Sequence, residues 1–313
     1  MAATKSIAKV QPLLGHARLR RRDRVWVYAG SLLKNKAALV GVIALFIVVV
    51  CAIAAPWIAP HDPTSQDLSL RLHPPAWQDG GSWSYPLGND ALGRDVLSRI
   101  IYGARVSLLV GFGAVVVQGV IGISLGLIAG FFGGKIDSII MRVTDLQYAL
   151  PFLVLALAVM AVLGQSLRNV ILVLGITGWV YYARLVRAEV LTVRRHDYIE
   201  AATAIGATNL RLIVKHILPN VTASIIVVAS LEVARMIIAE ASLSFLGMGV
   251  PPSIPSWGGM VSDGRGYVAT AWWVAAFSGM AIFLTVTSVN LVGDWLRDEL
   301  DPTMKGNRTG ATN

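Results

Sequence analysis

Stretches of 22 to 29 residues without one charged side chain recur along this chain of 313 residues, and they decide most of what it can fold into. Residues 37–59, 106–134, 146–167 and 266–293 contain no Asp, Glu, Lys or Arg. An apolar run of about 18 residues or more, coiled as a helix, crosses a hydrocarbon layer about 30 Å thick while pairing its backbone N–H and C=O groups internally. Each run is therefore read as a membrane-spanning helix. Residues 165–183 hold only 15 uncharged positions between Arg168 and Arg184, yet arginines at the ends of a span snorkel to the headgroups and lengthen it. Residues 221–246 are apolar except for Glu232, Arg235 and Glu240. The reading is an all-α membrane protein with six transmembrane helices.

Charge placement supplies the orientation. Only 14% of the chain is charged, against about a quarter in globular proteins, and the net charge is +9. Twenty Lys and Arg residues fall in residues 1–36, 131–143, 184–220 and the tail after Trp295, while six (Arg71, Arg94, Arg99, Arg105, Arg168, Arg265) fall on the alternate side. Cytoplasmic loops carry the basic excess, so both termini and the 184–220 loop are placed in the cytoplasm, with 60–105 and 249–270 outside. The surplus then reports topology and gives no reason to expect nucleic acid. Residues 1–24 are polar and end in Arg20, Arg21, Arg22, Asp23 and Arg24, which is not the build of a cleavable leader. The chain divides into a cytoplasmic segment 1–36, a membrane domain 37–296 and a cytoplasmic tail 297–313. The arginine cluster is read as a topology signal.

The most patterned stretch is the cytoplasmic loop. Asp197 stands where an N-cap belongs and Glu200 comes three residues later, a variant of the capping box that starts a short helix. Gly206 ends it. Thr208 caps a second helix with Leu210, Ile213, Val214 and Ile217 at helical spacing on one side, and Pro219 stops it before the next span. A compact helix-turn-helix on the membrane face is expected.

Glu200-Ala201-Ala202, then Gly206, then Leu218-Pro219 resembles the EAA loop of ABC importer permeases, the element that sits in a groove of the ATPase subunit. That pattern has isoleucine two residues before the leucine, where this chain has His216. Residues 86–105, from Pro86-Leu87-Gly88-Asn89-Asp90 through Gly93-Arg94-Asp95 to Gly103-Ala104-Arg105, are similar to the C-type permease subunit of dipeptide, oligopeptide and nickel ABC importers, the DppC/OppC-like group. So are Ala241-Ser242-Leu243-Ser244-Phe245-Leu246-Gly247 and Pro255-Ser256-Trp257-Gly258. The resemblance covers about residues 30 to 303. It implies the type I ABC importer permease (MetI-like) fold in the inner membrane, a B-type permease partner, two ATPase subunits that use ATP and Mg, and a periplasmic substrate-binding protein. It implies alternating access for a dipeptide or oligopeptide, with nickel chelates or another small solute as the alternative. The expected ATPase-coupling residues are Asp197, Glu200, Ala201, Ala202, Gly206, Leu210, Ile213, Leu218 and Pro219.

Three charges remain inside a span. Glu232 and Arg235 stand three apart and meet on one helix face, so they are read first as a structural ion pair that fixes helix packing or the subunit contact, and second as a substrate or gate contact in the translocation path. Glu240 is read as having no partner at i±3 or i±4 and is the better gate candidate. Within loop 60–105, Leu92, Val96, Leu97, Ile100 and Ile101 have the spacing of an amphipathic helix lying along the outer face before the second span, with Asp90, Arg94 and Asp95 on its polar side as contacts for a binding protein or as part of a structural lid. Gly122, Gly126 and Gly130 form a ridge for close helix packing, and Pro151 is expected to kink the third span.

Catalytic chemistry is not indicated. His16, His61, His73, His196 and His216 make no HExxH spacing, and no GxxxxGK[ST] loop or GxSxG elbow occurs. The chain is expected to bind no cofactor or metal itself. Two rival readings are distinguishable by experiment: an ion-coupled transporter relaying protons through Glu232, Arg235 and Glu240 would survive ATP depletion, and an intramembrane scaffold would co-purify with no ATPase.

Overall fold

The computed structural model describes residues 30–300, so the arginine cluster and residues 301–313 of the tail lie outside the described residues. The described part is helical, without a strand. Helix α1 (Lys36–Ile58) starts at Asn35, whose side chain accepts the Ala38 N–H at 3.1 Å. Helix α2 (Val96–Phe132) starts at Asp95, which accepts both the N–H and the hydroxyl of Ser98, and ends at Gly133 with φ 66°. This corrects the expected amphipathic helix: Val96, Ile100 and Ile101 belong to the first turns of one continuous 37-residue helix, because a capped turn feeds directly into the apolar run.

The expected third span is broken. Helices α3 (Gly134–Tyr148) and α4 (Phe152–Leu163) meet at 86°. Pro151 disfavours the helical conformation of the residue before it, and Gln147 pins the end of α3 to Thr177 and Trp179, in the helix that follows α4. Helix α4 alone, 12 residues, reaches about 18 Å and counts as a span only together with α3. Helix α5 (Leu167–Val193) runs past the expected end at Ala183. It tolerates two further arginines because α3 supplies their counter-ions: Arg184 meets Asp145 at 2.5 Å, and Arg187 makes a fork to Asp137 at 2.5 and 2.6 Å.

After the short helix α6 (Asp197–Ala204) comes α7 (Asn209–Phe245), continuous across a π-helical turn at Ile213–Ile217. The expectation that Pro219 stops the helix does not hold. Proline lacks an N–H and its ring collides with the carbonyl four residues back; the wider turn, in which the Leu218 N–H reaches the Ile213 carbonyl, relieves that collision without ending the helix. Helix α8 (Trp257–Gly264) and helix α9 (Trp272–Leu300) complete the bundle. Five helices are long and apolar enough to cross a membrane, and the α3–α4 pair brings the number to six among the described residues.

The central contact is α2 against α5. A side chain at Gly126 would put its Cβ 2.7 Å from the Ala183 carbonyl oxygen and 2.8 Å from the Val186 Cβ, so the two backbones touch as the small-residue ridge predicts. Around this seam Val110, Ala114, Leu174, Tyr182, Met236, Ile237 and Leu243 form the buried core. Two further clusters cap its ends. One gathers Val96, Ala104, Trp257, Met260 and Trp273; the other gathers Leu127, Phe131, Val190, Ile199, Leu212, Ile217 and Val221.

Candidate functional site

At the Val193 end of the bundle, α6 and the first turns of α7 make an elbow that is half inside the core and half outside. Ile199, Ala202, Leu212 and Ile217 pack inward on α2 and α5. Glu200, Ala201, Ile205, Leu210 and Val214 face outward, with Ile205 87% and Leu210 71% exposed. The turn between the helices is held by Gly206 at φ 86°: the Ala207 N–H reaches the Ala202 carbonyl at 3.1 Å and the Gly206 N–H reaches Thr203 at 3.0 Å. That pair of bonds needs a left-handed residue at the first position past the helix end, which glycine adopts without steric cost.

Details differ from expectation. The residue before α6 is His196, Asp197 is its first helical residue, and no capping bond returns from Glu200 among the described residues. Thr208 does cap α7, accepting the Arg211 N–H at 3.4 Å. The anticipated single apolar stripe is split, because the π turn rotates the residues beyond it: Leu210 and Val214 are exposed, Ile213 and Leu218 are half-buried and Ile217 is buried. Pro219 is exposed at the start of the α-helical run after the π turn.

Midway along the bundle the α3–α4 elbow opens a cavity of about 440 Å³, lined among others by Gln147, Tyr148, Phe152, Thr177, Tyr181 and Arg235. Gln147 is locked: its amide donates to the Thr177 carbonyl at 2.8 Å and its oxygen accepts from Trp179 Nε1 at 2.9 Å. Arg235 bonds Glu232 at 3.1 Å and lies over the Phe152 ring, 5.1 Å from its centroid. The expected ion pair is therefore present, with Glu232 buried and Arg235 half-exposed.

Glu240 has neighbours that charge counting could not reveal. It is fully buried, accepts the Ser244 hydroxyl at 2.7 Å and lies 3.5 Å from the Ser107 hydroxyl. Ser244 is its partner at i+4. Together they tie α7 to α2 rather than presenting a free carboxylate to a path.

The opposite end is a closed electrostatic clamp. Asp90 accepts the backbone N–H groups of Leu92 and Arg94, the Arg94 Nε at 2.7 Å and a guanidinium nitrogen of Arg99. Both arginines also reach Asp263 of α8, at 3.2 and 3.4 Å. Asp90, Arg94 and Asp95 are each at most 8% exposed, so their expected role as binding-protein contacts is not supported: the charges answer one another instead of facing solvent. Nearby, hydroxyl and amide donors from Thr64 and from Ser69 hold the exposed carboxyls of Asp62 and Asp67 below the usual carboxylate range. Among the described residues no His, Cys, Asp and Glu cluster has the build of a metal site.

Gln147 and Asp263 escaped the sequence reading. An isolated Asp beside Arg265 and a Gln beside Tyr148 carry no local signal, since both act across the fold.

The described residues form a bundle of membrane-crossing helices with an elbow of exposed apolar side chains at one end. Residues 122–306 match the family described as binding-protein-dependent transport system inner membrane component, and residues 25–75 match the N-terminal TM domain of oligopeptide transport permease C. The chain is 46% identical to the di/tripeptide transport system permease protein DppC of Pseudomonas aeruginosa, over 88% of this chain and 91% of that one. It is 50% identical to the dipeptide transport system permease protein DppC of Escherichia coli K12, over 87% of this chain and 91% of that one. Its fold is similar to a chain of the MetNI methionine ABC transporter in an inward-facing conformation, with a TM-score of 0.54 at 19% identity, covering 65% of this chain and 96% of that chain. The chain belongs to the binding-protein-dependent transport system inner membrane component family. It is a membrane subunit of an ABC importer with the MetI-like fold, and a permease of this kind works with ATPase and substrate-binding partners.

Proposed function

We propose that this chain is the C-type permease of a dipeptide importer, paired in the membrane with a related B-type permease, served by two ATPase subunits that use ATP and Mg, and fed by a periplasmic binding protein. The observation that carries the substrate is the 46–50% identity, over nearly nine-tenths of the chain, to permeases named for di- and tripeptides. Both termini and the 184–220 loop lie on the cytoplasmic side in this reading, as the basic residues favour.

Force enters at the α6–α7 elbow, where Ala201, Ile205, Leu210 and Val214 offer the ATPase an apolar contact and Glu200 its polar rim. Helix α7 carries it inward. As one 37-residue helix it reaches about 55 Å, so a displacement at Leu210 is transmitted to Arg235 and Glu240 without an intervening loop. The π turn at Ile213–Ile217 is the compliant point of that lever. The test is reconstitution of the permease pair with its ATPases and binding protein in liposomes. ATP-dependent accumulation of a labelled dipeptide is expected. Uptake that persists without ATP and collapses with the membrane potential would instead establish ion coupling.

A further inference from the structure

Arg235 lies within a membrane-crossing helix, yet 49% of its side chain is exposed. A guanidinium in a span avoids lipid and faces either the bundle interior or a watered path. Glu232 takes one of its five N–H donors; no other acceptor is bonded to it among the described residues. The side chain borders the cavity at the α3–α4 elbow, whose roughly 440 Å³ falls within the range of small-molecule sites, about 300–1,000 Å³. The Phe152 ring under the guanidinium fixes its plane, and the doubly anchored Gln147 stiffens the facing wall. No Asp or Glu is among the residues lining the cavity, and the Glu232 side chain is only 5% exposed. What the groove offers is an oriented, half-used fork of donors beside aromatic walls.

We propose that this groove is a carboxylate subsite on the translocation path, in which Arg235 receives the C-terminal carboxylate of a short peptide. The assignment rests on the peptide-importer reading above. A planar fork engages a carboxylate through two parallel N–H···O bonds. Glu232 has two effects: it holds the guanidinium in register, and its negative charge opposes a second carboxylate at the same fork. The second matters for transport, since a site on a path must bind weakly enough to release.

The test uses the chain's single cysteine, Cys51. In the assembled complex carrying Cys51→Ser, Leu150→Cys places a thiol on the groove wall, where Leu150 is 53% exposed. A water-soluble thiol reagent should modify it, and dialanine at millimolar concentration, without binding protein, should slow modification. Dialanine amide, which lacks the carboxylate, should not. Adding Arg235→Gln should weaken protection roughly 10-fold or more, the scale of a charged hydrogen-bond pair, while Arg235→Lys keeps part of it. Size-exclusion co-elution with the partner subunits shows that each variant assembles. A cysteine at Val162, 85% exposed and away from the groove, should show no protection by either compound. Equal protection by the amide, protection indifferent to Arg235→Gln, or a Leu150→Cys thiol that never reacts would overturn the subsite. None of these touches the importer reading, which stands or falls on uptake by the unmodified complex.

Discussion

One end of the bundle buries its charges and the other exposes its apolar side chains. Around Asp90, two carboxylates and two guanidiniums pair with one another, and only Asp263 keeps substantial contact with solvent, at 42% exposed. Around Gly206, Ile205, Leu210 and Val214 are exposed while the residues between them pack inward. The clamp's ion pairs all lie within this chain. At the elbow the described residues leave Ile205 and Leu210 uncovered, and the proposed function gives that surface to the ATPase.

The largest expected effect breaks the clamp. Asp90→Ala leaves Arg94 and Arg99 buried with Asp263 as the remaining anion, and removing one partner of a buried ion network costs about 3–5 kcal/mol. Thermal unfolding of the detergent-solubilised complex should fall steeply, and Asp90→Ala combined with Arg99→Leu should recover part of the loss, because the second change removes the stranded charge. A single variant that melts with the unaltered protein would mean the network is ornamental, and the contrast between the ends would dissolve.

Gly206→Val comes next and separates stability from coupling. A side chain there meets nothing within 4 Å, so no clash is created, but φ 86° is the left-handed region. The backbone penalty for such a residue is about 1–2 kcal/mol, confined to the turn. Insertion and assembly should persist while uptake drops at least 10-fold, since relieving the strain reorients α6 against α7. Gly206→Asn, which tolerates the left-handed conformation better, should retain more transport. If both variants transport normally, the elbow angle does not carry the force.

How far the sequence announced this division depends on the range of the interactions involved. The spans could be read from uncharged runs, because lipid imposes one rule on every residue of a run. The Gly122–Gly126–Gly130 ridge and the Glu232–Arg235 pair could be read from helical spacing, and the Gly206 turn from one residue type in one place. The bend at Pro151 could be read from the proline, but its size of 86° could not, because Gln147 fixes it by bonds to Thr177 and Trp179 about 30 residues on. Nor could the clamp. Asp90 and Arg94 have the i, i+4 spacing of the wet side of an amphipathic helix, and their interior placement depends on Asp263, 169 residues beyond Arg94. Glu240 stands between: its Ser244 partner is at i+4 and readable, whereas Ser107 is 133 residues away.

The smallest expected effect on stability is also the sharpest probe of the contrast. Leu210 is 71% exposed and Ile217, one helix face away, is fully buried. Leu210→Ser removes apolar surface that solvent already reaches, so its effect on unfolding should stay within about 0.5 kcal/mol. Ile217→Ser places a hydroxyl in the cluster of Leu127, Val186 and Val190 and should cost several times more, as core truncations do. For association with the ATPase subunits the order should invert. A leucine that is buried only on docking contributes about 1.5–3 kcal/mol there, so Leu210→Ser should weaken ATPase binding roughly 10-fold or more, read by co-purification or by titration of the ATPase onto the permease pair in nanodiscs. The inversion is the decisive feature: if Leu210→Ser left ATPase binding unchanged, its exposure would be that of an ordinary surface residue, and the elbow would have no more claim to a partner than any other loop.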